Sequence, residues 1–284
     1  MKNKKPRWKK RDVKPIISGL ILAILFCLVA FGTYALLSVQ SDSAKAAAAS
    51  AKAAAIEAKK EEPVYITLPG AKTIRAIVSD YTKPDSLWVI VNKTHPIPIT
   101  YVPPNLKVPN VPIRTDKTKL EMSLRSIVGV PLAVMFKAAA AAGHDLMIGS
   151  GYRSAAIQES YFDTLAATAG EVAANDAIAD PGQSEHQTGL ALDINSYSQS
   201  CYLDQCSLAA TDAQWLADNS YKYGFILRYP PGDESITGYQ SEPWHFRYVG
   251  VALATALHES NMTLDQAWPY LQKADATLHD NGAI

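Results

Sequence analysis

The chain has 284 residues, 48% hydrophobic, with 27 basic and 27 acidic side chains, which is ample for one buried core with extra segments. Residues 1–14 carry eight Lys/Arg against Asp12 alone, so the remainder holds 19 bases against 26 acids, a net −7. An acidic main body excludes nucleic-acid binding as its principal role.

Residues 1–14 read as a cytoplasmic basic tail because an apolar span comes directly after them. Pro15 to Leu37 contains no charge and is largely Leu, Ile, Ala, Val and Phe. At about 1.5 Å per residue it can cross a hydrocarbon core of roughly 30 Å. A basic flank before the span and none directly after it predicts an inside N-terminus and an outside remainder. Apolar cores of signal peptides run about 7–15 residues, so residues 15–37 read as a transmembrane signal anchor rather than a cleaved signal. Residues 38–62 turn to Ala, Lys and Glu, which favour helix but leave no apolar stripe, as suits a stalk. Residues 63–284 are then a single extracytoplasmic domain on a single-pass membrane protein. Cys201 and Cys206 enclose a short polar loop, and an exported location would permit a disulfide between them.

From Pro63 to Val128 the chain is rich in Pro, Thr, Val and Ile. The prolines from Pro96 to Pro112 exclude long helices and central strands, so an extended wrap with one edge strand is expected, with Leu87–Val91 as a short β-prone run. A helix is expected from Pro131 to a stop at Gly143, with Leu132, Met135 and Phe136 on its apolar face. Asp145–Gly149 reads as a buried strand and Ala155–Ala169 as a helix whose Ile157, Tyr161 and Leu165 stripe should pack in the core. Strands are expected at Leu190–Ile194, Phe225–Tyr229 and Trp244–Val249, and helices at Asp212–Tyr223, Val251–Glu259 and Leu264–Leu278. This irregular order predicts an α+β fold, an antiparallel sheet flanked by helices.

Two motifs carry chemistry. The first is Ser184-Glu185-His186-Gln187-Thr188-Gly189-Leu190-Ala191-Leu192-Asp193; the second is Glu242-Pro243-Trp244-His245. Asp193 stands in an apolar run, where an ionised carboxylate is costly unless a cation compensates it. His186, Asp193 and His245 offer three nitrogen and oxygen ligands of the kind that suits zinc, with one position open, and Glu242 is a carboxylate three residues before the last imidazole. Arg153 lies in a Gly-Tyr loop after a buried strand, a place where a planar donor fork can serve function.

The pattern Ser-x-His-x-x-Gly-x-Ala-x-Asp followed by Glu-x-Trp-His resembles the zinc D-Ala-D-Ala carboxypeptidases and dipeptidases of bacterial cell walls, in particular their VanY-like branch. Ser150-Gly151-Tyr152-Arg153-Ser154 with Gln158 is similar to the family's arginine motif. Leu87–Lys93 with Tyr101–Leu106 is similar to a leading segment of the same branch, so the resemblance runs from Leu87 to Tyr270. It implies a Hedgehog/DD-peptidase-like α+β fold with Zn2+ on His186, Asp193 and His245. It implies Glu242 as the acid–base group and Arg153 as oxyanion or substrate donor. Gln158 and Ser184 would contact the substrate's terminal carboxylate. The implied activity is removal of the C-terminal D-alanine from peptidoglycan stem peptides. An L,D-carboxypeptidase or endopeptidase of the same fold, or a non-catalytic Hedgehog-like zinc module, would share the ligands. Trp244 is expected to pack, and His95, His144, His258 and His279 lie outside the motifs.

Overall fold

Four short strands, two of which alternate between an apolar and a polar face, build the sheet that carries the candidate site. The computed structural model describes residues 14–284 apart from 172, 175–177, 199–200 and 203–204, in two units, Met1–Glu61 and Glu62–Ile284. The basic tail expected over residues 1–14 thus lies almost wholly outside the described residues.

In the first unit, α1 spans Lys14–Glu61 without a break. The junction expected near Leu37 between an apolar span and an Ala-rich stalk leaves no mark on the backbone. The reason is local: Ala, Lys and Glu rank with Leu as strong helix formers, so propensity carries the helix through the change in polarity. The helix is long and apolar enough to cross a membrane, a description that a signal sequence near an N-terminus also meets.

In the second unit, β1 (Leu146–Ser150), β2 (Ala191–Ser196), β3 (Phe225–Leu227) and β4 (His245–Tyr248) form one sheet in the order β1-β2-β4-β3, with every neighbour antiparallel. Leu146, Ile148, Leu192, Ile194 and Phe246 join one core with Val128, Leu132, Met135 and Phe136 of α2 (Ser126–Ala141). The alternate positions Ala191, Asp193, His245 and Arg247 belong to the other face. All six residues of β2 are buried, so both faces are covered. A second core joins α5 (Val251–Ser260) and α6 (Leu264–Asp280) to the N-terminal wrap through Leu68, Tyr81 and Trp88. The α+β antiparallel architecture is the one anticipated. Between β1 and β2 lies α3 (Ala155–Ala169), and between β2 and β3 lies α4 (Ala210–Asn219).

Several local expectations need correction. Helix α2 starts at Ser126, five residues before Pro131, which sits inside it; core contacts of Val128 outweigh the one backbone bond that a proline removes. The Ile157, Tyr161 and Leu165 stripe of α3 is only half-buried, and the helix's buried residues are Ala155 and Gln158. Leu87–Val91 forms no strand, although Trp88, Val89, Ile90 and Val91 are buried. Its carbonyls find another donor: the Arg247 guanidinium gives hydrogen bonds to Leu87 O (3.1 Å) and Val89 O (2.8 Å). The only other ladders among the described residues are two-residue pairs, one of which sets Cys201 opposite Cys206; the disulfide expected there lies outside the described side chains.

Among the glycines required by close approach, two belong to the motifs. Gly189 has φ +65°, and a Cβ there would sit 3.0 Å from Leu106 and 3.2 Å from Arg125. A Cβ on Gly151 would sit 2.8 Å from both the Glu121 and Ser123 carbonyl oxygens, which accept hydrogen bonds from the Gly151 and Tyr152 amides. Gly151→Ala must therefore push two backbone segments apart. We expect a loss of about 1–3 kcal/mol of stability, read as a lowered urea midpoint with unchanged slope.

Candidate metal centre and active site

Strand register assembles the site. β4 pairs with β2 so that His245 lies directly opposite Asp193, and Arg247 opposite Ala191. Ala191 presents only a methyl group beside the buried Arg247. β1 pairs on the other side of β2, setting Ser150 against Asp193 after a bulge, and the chain then leads into Arg153. His186 arrives on a short 3-10 turn, Glu185–Thr188, that Gly189 ends in the left-handed conformation.

These elements bring His186, Asp193 and His245 together, with one ligand atom from each lying within 4.8 Å of the others. His186 Nδ1 donates to the Gly151 carbonyl at 2.6 Å; a carbonyl only accepts, so Nε2 is left unprotonated in the neutral ring. That Nε2 is 3.4 Å from Asp193 Oδ1. His245 turns Nδ1 inward, 3.4 Å from Asp193 Oδ1 and 3.3 Å from Glu242 Oε2. Glu242 is 22% exposed whereas Asp193 is 1% exposed. One carboxylate thus lies inside the cluster, and the other can meet solvent or substrate.

The cluster is short of positive charge. Both Asp193 oxygens are buried without a hydrogen-bond partner, an arrangement that costs several kcal/mol by the usual order of magnitude for a buried charge unless a cation fills it. Burial favours the neutral acid, yet His186 and His245 hold the Asp193 carboxyl well below the ordinary range. Burial likewise pulls the His245 pKa down, but Asp193, Glu185 and Glu242 push it far above that of a free imidazole. Three carboxylates around one imidazole favour a positive charge, which a divalent ion would supply. Two imidazoles and one carboxylate form a donor set that fits zinc.

Arg153 comes to the same place. Its Nη2 is 3.7 Å from Asp193 Oδ2, and its guanidinium lies 5.2 Å from the Tyr161 ring. Gln158 is buried and engaged at both ends: its oxygen accepts from Arg153 Nη1 at 2.9 Å, and its amide donates to Ala179 O at 2.7 Å. Ser184 precedes the His186 turn and is buried, but its hydroxyl does not cap that turn. Trp244 is half-buried, and its carbonyl accepts from Ile194 N at 2.9 Å.

Sequence reasoning missed the charges beneath the site. Glu185 is fully buried, and its Oε1 accepts from Arg228 Nε (2.9 Å) and Arg247 Nη1 (2.7 Å). Arg228 also pairs with Asp265. Burial alone would raise the Glu185 pKa, but the two guanidiniums hold it well below the usual carboxylate range. The signal was present: Arg228 directly follows the apolar run Phe225–Leu227, and Arg247 stands between Phe246 and Tyr248. Tyr229 stands beside the centre, its ring 4.8 Å from His245 and 5.0 Å from Tyr239.

With this geometry in view, the similarity to known proteins is informative. The family profile described as VanY, D-alanyl-D-alanine carboxypeptidase, matches residues 121–251. YodJ of Bacillus subtilis strain 168 is 40% identical over 190 residues, covering 67% of this chain and 70% of that protein. The solved LdcB LD-carboxypeptidase is 39% identical with a TM-score of 0.59, over 67% of this chain and 87% of the other. A Zn(II) complex of the vancomycin-resistance D,D-pentapeptidase VanY is 33% identical with a TM-score of 0.54, over 66% of this chain and 99% of the other. The chain belongs to the VanY-like D-alanyl-D-alanine carboxypeptidase family, a family of hydrolytic enzymes.

Arg247 ties the sheet, Glu185 and the Leu87–Val89 segment together. Arg247→Met leaves two carbonyls without donors and removes one of two cations from a buried carboxylate. We expect a loss of about 3–5 kcal/mol in unfolding free energy, measured by denaturant titration of tryptophan fluorescence.

Proposed function

We propose that this protein is a zinc D-Ala-D-Ala carboxypeptidase, held at the membrane by its N-terminal helix, that removes the terminal D-alanine from peptidoglycan stem peptides. The carrying observation is the convergence of His186 Nε2, Asp193 and His245 Nδ1, with Glu242 at 3.3 Å from the last. In this reading His186, Asp193 and His245 hold Zn2+. The ion, when bound, lowers the pKa of a water and polarises the scissile carbonyl.

The chain's own residues supply the rest. Glu242 takes the proton of the attacking water and delivers it to the leaving amine, a role its partial exposure and inward oxygen suit. Arg153, oriented by Gln158, offers donors to the oxyanion or to the substrate's terminal carboxylate. The second amide hydrogen of Gln158 and the Ser184 hydroxyl are further donors for that carboxylate. A non-catalytic zinc module would have no use for Glu242 and Arg153 beside the ligands. The 39% identity to LdcB favours one second reading, cleavage of an L,D bond in a tetrapeptide stem.

Residues 15–37 act as the anchor in this proposal, with the tail inside and the catalytic domain outside. At about 1.5 Å per residue, the 48 residues of α1 extend roughly 72 Å, more than twice the roughly 30 Å needed to span the hydrocarbon. The surplus suits a stalk.

Replacing His186, Asp193 or His245 by Ala should abolish both zinc content and activity, whereas Glu242→Ala should retain zinc and lose about 10²–10⁴-fold in turnover. Metal analysis beside steady-state kinetics separates the two classes; full zinc occupancy in all three ligand variants refutes the centre. Mass spectrometry of stem peptides tests the bond. A pentapeptide ending in D-Ala-D-Ala should lose one alanine, and its C-terminal amide should be a poor substrate. Preferential cleavage of the tetrapeptide would establish the L,D reading instead.

A further inference from the structure

Beneath His245 lie two buried polar atoms that have no hydrogen-bond partner, His245 Nε2 and Glu185 Oε2. They face each other at 3.8 Å, roughly 1 Å beyond hydrogen-bond length. Nothing in the hydrolytic reading uses Glu185, yet the chain commits two buried guanidiniums to it. We propose that Glu185 is a positioning residue for His245: its buried carboxylate faces Nε2 and attracts the proton to that outer nitrogen, leaving Nδ1 bare toward the metal centre. The inference rests on the zinc reading and adds to it the device that selects the tautomer.

Three observations support this. First, a carboxylate only accepts and carries negative charge, so Glu185 Oε2 at 3.8 Å favours the neutral-ring tautomer with the proton on the nitrogen that faces it. Second, the other oxygen, Oε1, is held by Arg228 Nε and Arg247 Nη1 at 2.9 and 2.7 Å, so the carboxylate cannot swing away. The guanidiniums are themselves fixed, Arg228 by Asp265 and Arg247 by the Leu87 and Val89 carbonyls. Third, the two imidazoles are oriented by different acceptors. A backbone carbonyl holds His186 Nδ1, and a carboxylate faces His245 Nε2. The centre would therefore take Nε2 from one ring and Nδ1 from the other.

A buried carboxylate behind a ligating imidazole raises ligand basicity as well as fixing the ring. The neutral Gln side chain has nearly the same shape, but it can turn its NH2 toward Nε2. That would favour the opposite tautomer, with the proton on Nδ1. Glu185 thus acts through His245 and need not touch substrate.

The test uses the full chain in detergent micelles with 15N-labelled histidine. Long-range 1H–15N correlation of the zinc-loaded wild type should show His245 protonated at Nε2 and His186 protonated at Nδ1. Chelator competition should show zinc affinity lowered about 10–100-fold in Glu185→Gln, with the protein still folded by near-UV circular dichroism. Wild-type affinity in a folded Glu185→Gln, with His245 unchanged, would overturn the proposal. If that variant does not fold, the wild-type spectrum decides alone: a proton on His245 Nδ1 overturns it, and a proton on Nε2 sustains it. Failure of the wild type to bind zinc would overturn the zinc centre itself and this proposal with it.

Discussion

Asp193 and His245 lie opposite one another across β2 and β4, and the site depends on that pairing. Successive strand residues face opposite ways, so a slip of one position would turn either side chain into the apolar core. The pairing is guarded by that core. Leu192 and Phe246, each beside one of the two ligands, are both buried in the cluster built on α2. Burial of these neighbours keeps two polar side chains in place that would otherwise prefer water. Gly189 and Gly151 complete the assembly from either end, one turning the chain into β2 and the other supplying the carbonyl that orients His186.

The charges are arranged in two layers. The inner layer, Glu185 with Arg228, Arg247 and Asp265, is balanced in charge: two cations and two anions, joined by ion pairs, with side chains at most 8% exposed. The outer layer, Asp193 and Glu242 with Arg153, carries one more anion than cation before any ion is added. A divalent cation would turn that deficit into a single positive charge, which favours an incoming carboxylate and a developing oxyanion. Buried ion pairs contribute little net stability compared with apolar replacements. Their value here is geometric, because the guanidiniums hold both a carboxylate under the site and the backbone of an irregular segment beside it.

Arg247 also explains why Leu87–Val91 packs deep in the molecule without joining a sheet. Buried carbonyls need donors, and a ladder partner is the usual source. A guanidinium reaching from the edge of the site serves instead. The same reach links the N-terminal wrap of the domain to the floor beneath His245, so one side chain joins the wrap to the centre.

The candidate ligands and the strand positions that carry them were legible in the chain because each signal is local. An acid in an apolar run carries its meaning within a few positions. The start of α3 at Ala155 and its stop at Gly170 were equally local, set by Ser154 accepting from Ile157 N and by the glycine's positive φ. What the sequence determined by itself was therefore the family resemblance, the order of elements and which residues could hold a cation. Tertiary structure decided the rest: that Gln158 serves Arg153, that the α3 stripe stays half-buried, and that Glu185 lies beneath His245 between two arginines. They depend on which buried carbonyls lack donors and which buried charges need balancing, and contacts between separate segments decide that: Glu185 lies 43 residues from Arg228 and 62 from Arg247.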